Sequence, residues 1–167
     1  MKKMTEENVK AALAGESQAH IKYAAFAFKA ESENLPNVAR AFKANSFAEQ
    51  VHASNYLKLL GALGSTPDNL AAAVGGETFE IEEMYPSFVV TAQSQGEKAA
   101  ETYFNWATAA EKVHAHIYRE AQQAVAAGQD IPSKPIHVCP ACGFTMEGDA
   151  PDKCPLCSTV KARFVSF

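Results

Sequence analysis

Two groups of side chains in this sequence have the types and spacing that metal chemistry requires. The first is Cys139-Pro140-Ala141-Cys142-Gly143 and Cys154-Pro155-Leu156-Cys157-Ser158, with eleven residues between Cys142 and Cys154. Paired CxxC knuckles of this kind bring four thiolates around one zinc or iron ion. The spacing does not choose between the two metals. Zinc would fold the segment and do no more, whereas iron would add one-electron redox chemistry. A disulfide pairing is the least favoured reading.

The second group is made of carboxylates placed where a helical core should be. A stripe at helical spacing runs Val38, Phe42, Asn45, Glu49, His52, Tyr56, Leu59, Leu63, apolar at its ends with Glu-x-x-His in the middle. A second stripe repeats it: Ala100, Phe104, Ala107, Glu111, His114, Tyr118, Ala121, Val125. Upstream, Glu16 lies mid-stripe among Val9, Leu13, His20, Tyr23 and Ala27, and Glu77, Glu80 and Glu83 follow one another at three-residue steps. The sequence reads as duplicated, with Glu16 lying 33 residues before Glu49 and Glu80 lying 31 before Glu111. Glutamate is rarely buried unpaired, and taking each carboxylate out of water costs on the order of several kcal/mol. A pair of cations neutralises such a cluster. Glu and His at i, i+3 point the same way from a helix and can hold one metal together. Oxygen-rich donors with one imidazole per metal suit iron or manganese better than zinc. His20 is read as a packed or supporting histidine, Glu83 as supporting or solvated, Glu7 and Glu82 as solvent-facing, and Tyr56 and Tyr118 as core.

Four long helices must position these groups. The first spans about Thr5 to Ser32 and the second about Pro36 to Leu63, joined by Asn34-Leu35-Pro36. A Gly-rich stretch from Gly64 to Gly76 follows, in which Ser65-Thr66-Pro67-Asp68 opens a short extra helix. A third helix covers about Glu77 to Gln95 with Pro86 bending it, and a fourth runs from about Glu97 to Ala127. Two tight hairpins joined by one long connection give the ferritin-like bundle topology. The segment from Gln129 to His137, with Pro132 and Pro135, reads as a linker. The expected division is therefore 1–133 for the bundle and 134–167 for the cysteine module, which is too short for an ordinary core and needs a metal.

The net charge of −4 has the wrong sign for a nucleic-acid binder. No apolar run approaches the ~20 residues that cross a bilayer. The start, Met1-Lys2-Lys3-Met4-Thr5-Glu6-Glu7, has no apolar signal region, so the cytoplasm is the expected compartment.

Over nearly its full length the chain resembles rubrerythrin. The resemblance rests on Gly15-Glu16-Ser17-Gln18-Ala19-His20, Glu49-Gln50-Val51-His52, Gly76-Glu77 through Glu83-Met84-Tyr85-Pro86, Ala110-Glu111-Lys112-Val113-His114, and the rubredoxin-like tail from Val138 to Phe167. It implies two irons on Glu16, Glu49, Glu77, Glu80, Glu111 and His114, with Glu49 and Glu111 bridging. His52 would be the alternate ligand that replaces Glu80 when the centre is reduced. It implies Tyr23 and Tyr85 as hydrogen-bonding neighbours, and a third iron on Cys139, Cys142, Cys154 and Cys157. Glu77 is the extra carboxylate that a plain ferritin-like site lacks. The activity implied is reduction of hydrogen peroxide to water in oxidative-stress protection. The di-iron centre would supply two electrons, and the four-cysteine iron would replace them one at a time from rubredoxin or an NAD(P)H-dependent reductase. The resemblance also implies a homodimer in which one subunit's tail lies beside the other's di-iron site. One departure is Ser158, where many rubredoxin knuckles carry Gly. The competing readings are a ferritin-like ferroxidase or iron-handling protein, and a structural di-metal bundle with a zinc ribbon.

Overall fold

A computed structural model describes all residues from Met1 to Phe167. The chain forms two compact units, 1–64 and 65–167.

The first unit is an antiparallel pair, α1 (Lys3–Ser32) and α2 (Pro36–Leu59). Asn34 makes the turn between them in the left-handed conformation, φ 58°, which Asn tolerates better than most residues. The Asn34 and Leu35 amides then cap the carbonyls of Glu31 and Ala30, closing a Schellman motif, and Pro36 starts α2 at no hydrogen-bonding cost. Small residues, Ala27, Ala30, Ala39, Ser46 and Ala53, are buried in this unit and let the two backbones approach closely. Phe28 and Phe47 remain 75% and 66% exposed.

The second unit opens with α3 (Thr66–Phe79). Ser65 and Asp68 form a reciprocal capping box, which holds the Asp68 carboxyl below its ordinary range. The sequence pointed to a short separate helix here and a new one from Glu77. Instead α3 runs through Gly75 and Gly76 without a break, because nothing after the capping box supplies a stop. It passes through one π-helical turn, Glu80–Met84, into α4 (Tyr85–Gln95). Pro86 accounts for the π turn: it has no N–H for the carbonyl four residues back, and its ring would clash there. The Tyr85 amide bonds the Glu80 carbonyl across the widened turn. Gly96, φ 72°, ends α4, and α5 (Lys98–Ala126) returns antiparallel.

The tail of this unit is a three-stranded antiparallel sheet of order β2-β1-β3, with β1 Ile136–Val138, β2 Thr145–Glu147 and β3 Val165–Ser166. Two matching loops interrupt it. In the first the Cys139 amide bonds the Phe144 carbonyl and the Gly143 amide bonds the Cys139 carbonyl. In the second, the Cys154 amide bonds the Thr159 carbonyl and the Ser158 amide bonds the Cys154 carbonyl in the same pattern. Gly143 and Ser158 occupy equivalent left-handed positions, φ 77° and 62°, so Ser158 stands where the first loop has Gly.

Candidate metal centres

The four cysteines are brought together by the two loops. Cys139 Sγ lies 3.5 Å from Cys157 Sγ, and Cys142 Sγ lies 3.5 Å from Cys154 Sγ. All four sulfurs fall within 4.8 Å of one another and none is bonded to another. A disulfide needs ~2.05 Å, whereas a tetrahedron with metal–sulfur bonds of ~2.3 Å has edges of ~3.8 Å. The spacing therefore fits a single metal ion. The Thr159 hydroxyl, 3.1 Å from Cys157 Sγ, lowers that thiol to about 6, while burial pushes Cys142 well up.

Of the carboxylates and histidines singled out in the sequence, six gather in two trios, one in each unit; a third and more exposed trio, His116, Glu120 and Glu147, also lies in the second unit. In the first unit Glu16, Glu49 and His52 have ligand atoms within 4.8 Å, with His52 Nδ1 2.8 Å from Glu49 Oε2 and 3.9 Å from Glu16 Oε1. In the second unit Glu77, Glu111 and His114 do the same, with His114 Nδ1 2.6 Å from Glu111 Oε2 and 3.9 Å from Glu77 Oε2.

The match extends to the surrounding rings. Tyr23, Phe26 and Phe42 pack with centroids 6.3, 6.3 and 5.5 Å apart, and Tyr85, Phe88 and Phe104 with 6.3, 6.1 and 5.5 Å. Tyr23, Phe26, Phe42, Glu49 and His52 recur 62 residues on as Tyr85, Phe88, Phe104, Glu111 and His114. This symmetry corrects the pairing read from sequence, in which Glu80 was the counterpart of Glu16. The counterpart is Glu77, 61 residues on, because the π turn inserts one residue between it and Tyr85. Glu80 sits on the inserted turn and has no equivalent in the first unit. It still feels the second trio, since the nearby Glu77 charge raises its carboxyl after burial does.

Burial, and then the neighbouring Glu111 carboxylate, raise Glu77 above the ordinary range, with His114 opposing. Tyr85 is raised by burial and by the charges of Glu80, Glu111 and Glu77, which places it beside this trio. Crowding in which Glu111 raises Glu77 and Glu77 raises Glu80 favours a cation among them, so the donor set fits the metal inferred from sequence.

Among the remaining candidates, His20 donates from Nδ1 to the Ser46 carbonyl at 2.9 Å, and Ser46 Oγ donates to the His20 carbonyl at 2.9 Å, so this pair ties α1 to α2. Glu82 and Glu83 are exposed.

Comparison with known proteins agrees with this geometry. The rubrerythrin family model matches residues 7–122, and the model of the rubrerythrin rubredoxin-like domain matches 137–165. The chain belongs to the rubrerythrin family. It is 39% identical to rubrerythrin-2 of Clostridium acetobutylicum, covering 98% of this chain and 97% of that one. It is 35% identical to nigerythrin of Nitratidesulfovibrio vulgaris, covering 98% and 86%. The structure of fully reduced, all-ferrous nigerythrin is similar with a TM-score of 0.57 at 34% identity, over 98% of this chain and 86% of that one. The fold class is accordingly ferritin-like with a small rubredoxin-like metal domain, and the cofactors are a di-iron centre and iron on four cysteines. The protein is a di-iron oxidoreductase. No helix is long and apolar enough to cross a membrane.

Two features were not legible beforehand. Thr145 Oγ1, on β2, lies 2.7 Å from His114 Nε2. Within the second unit the tail lies against α5 of its own chain, because Thr145 is tethered to His114 and β2 packs on that helix. The second is the Thr159 hydroxyl on Cys157. A threonine two residues after a knuckle cysteine carried no signal of its own.

Proposed function

We propose that this rubrerythrin-family protein is a peroxidase that reduces hydrogen peroxide to water. The observation that carries the reading is the pair of Glu–Glu–His trios in a chain that also holds a four-thiolate site. We assign Glu16, Glu49, Glu77, Glu80, Glu111 and His114 as the di-iron ligands, His52 as the alternate ligand, and Tyr23 and Tyr85 as hydrogen-bonding neighbours. The four cysteines hold the third iron. Functionally the chain divides into 1–133 and 134–167.

When bound, the di-iron centre would supply the two electrons that reduction of the peroxide O–O bond requires. The protein's own part is to hold them and to manage charge and protons. Glu49 and Glu111 each lie against a histidine on the next turn, so each helix presents a carboxylate and an imidazole together. Tyr85, kept protonated by burial and then by the surrounding carboxylates, is a proton-bearing group at the second trio. The rings of Phe88 and Phe104 pack against Tyr85 and hold its ring in place. Cys139, Cys142, Cys154 and Cys157 would hold an iron able to relay single electrons from rubredoxin or an NAD(P)H-dependent reductase, in the cytoplasm. The position of the tail against α5 supports that role.

The working form we propose is a homodimer. Phe28 and Phe47, 75% and 66% exposed, line one cleft on the α1–α2 unit, an apolar surface of the kind that marks an interface.

The test is metal content with a visible spectrum of the purified protein, followed by peroxide added to the reduced form. About three irons per chain, a ferric-thiolate spectrum and rapid peroxide-driven reoxidation are expected. Iron present in the bundle with no acceleration of its oxidation by peroxide over oxygen would favour a ferroxidase instead. Zinc on the cysteines and no peroxide response would point to a structural role.

A further inference from the structure

The two Glu-x-x-His motifs differ at the far side of the imidazole. His114 Nε2 meets the hydroxyl of Thr145, a residue 31 positions later in the chain and only 5% exposed. Thr145 Oγ1 also reaches the Gly143 carbonyl at 3.4 Å, a long contact, and Gly143 follows Cys142 directly. His52 Nε2 has no corresponding protein partner, and its side chain is 53% exposed against 29% for His114.

We propose that Thr145 is a positioning residue that holds His114 as a fixed ligand, its hydroxyl fixing the imidazole from the Nε2 side. The inference rests on reading His114 as a ligand. His114 Nδ1 lies on the side of the carboxylate trio, 2.6 Å from Glu111, which leaves Nε2 to Thr145 Oγ1 at 2.7 Å. With a metal on Nδ1 the neutral ring would carry its proton on Nε2, where Thr145 Oγ1 would accept it, and the threonine proton would turn toward the Gly143 carbonyl.

Threonine suits this place because one hydroxyl can accept from Nε2–H and at the same time donate to the Gly143 carbonyl, whereas a carbonyl or a carboxylate would only accept. Partners on the free nitrogen of a ligating histidine typically change metal affinity by ~10–100-fold. The same hydroxyl joins the imidazole to the backbone of the first cysteine knuckle, so ligand orientation and tail docking are set by one contact. His52, with no such partner, keeps the freedom that an alternate ligand needs.

The experiment is metal competition against a chelator, using zinc as a diamagnetic probe in the full-length chain with its cysteine site already filled. It is done for the parent, Thr145→Val and Thr145→Ser, together with proton–nitrogen NMR of the histidine rings. The expected result has three parts: a tenfold or greater loss of bundle zinc affinity in Thr145→Val, recovery in Thr145→Ser, and a slowly exchanging Nε2–H signal in the zinc-loaded parent that Thr145→Val loses. The cysteine-site spectrum of the iron-loaded variants controls for folding of the tail. Unchanged affinity and an unchanged Nε2–H signal in Thr145→Val overturn the proposal. Affinity lost equally in Thr145→Ser also overturns it, since a serine hydroxyl should suffice. His114→Ala separates the two levels: full zinc binding there would reject His114 as a ligand and with it the reading of the site.

Discussion

The α1–α2 unit and the α3–α5 unit carry the same donors on the same frame and use them differently. Both place a Glu from one helix beside Glu-x-x-His on the next, and both back this with a Tyr–Phe–Phe cluster of matching dimensions. The second unit adds an inserted residue that forms a π turn and introduces Glu80, and a tail that reaches back to its histidine. The first unit has neither, and its histidine is the more exposed. Duplication thus supplies two equivalent trios, and two local changes make one of them richer in carboxylate and tie its histidine to the tail, while the other keeps the simpler arrangement.

The largest test of this asymmetry replaces each histidine in turn. His114→Ala should lose most bundle iron and at least ~100-fold of peroxide turnover, while His52→Ala should keep its iron and lose turnover more mildly; iron per chain and reoxidation rates report both. Equal losses would mean that the two units are functionally as symmetric as their donors.

Nearly as large is the effect of separating tail from trio. A Cys157→Ser chain lacks a complete cysteine site, and a Glu111→Ala chain lacks a complete second trio. Because the tail contacts α5 of its own chain, mixed dimers of the two should recover no peroxidase activity. Recovery toward a quarter or more of the parent rate would show that the tail serves the other subunit.

A moderate effect is expected from pH. Glu77 and Glu80 bind their protons more tightly in the folded metal-free protein than in the unfolded chain. Their contribution to stability is therefore present below the ordinary carboxylate value of 4.5 and is lost as pH rises through the raised native values. Thermal melts of the metal-free protein should show this decline, and Glu77→Gln should flatten it. Metal should offset it, so the stabilisation on loading should grow over the same range.

The smallest effect lies in the tail. Ser158 and Gly143 hold the same left-handed position in paired loops, and only Ser158 carries a Cβ there. Ser158→Gly should stabilise the tail by about 1 kcal/mol, measured as resistance of the cysteine-site absorbance to denaturant. The spectrum of the four-thiolate site itself should not change.

Much of the site was legible in the sequence because its signals are local. A CxxC knuckle is a short loop whose geometry travels with its residues, and Glu-x-x-His sets two donors on one helical face whatever surrounds it. Apolar stripes interrupted by carboxylates marked the helices, and Asn34, Pro36 and Gly96 marked their ends. Helix continuity from Thr66 to Phe79 was less legible, since Gly75 and Gly76 look like breakers and are tolerated inside a helix that is capped firmly at its start. The π turn was also hidden. Counting residues back from Glu111 cannot reveal an insertion that the backbone absorbs by widening one turn, and so Glu80 was matched to Glu16 in place of Glu77.

By itself, then, the sequence determined the donors, their helical faces, the four-thiolate site and the duplicated plan, because each depends on contacts within a few residues along the chain. Only the tertiary structure decided which glutamate joins each trio, that His114 and not His52 is tethered, and that the tail lies on its own α5. Those outcomes depend on groups separated by tens of residues, His114 and Thr145 above all, and no local pattern records which distant hydroxyl will meet which ring.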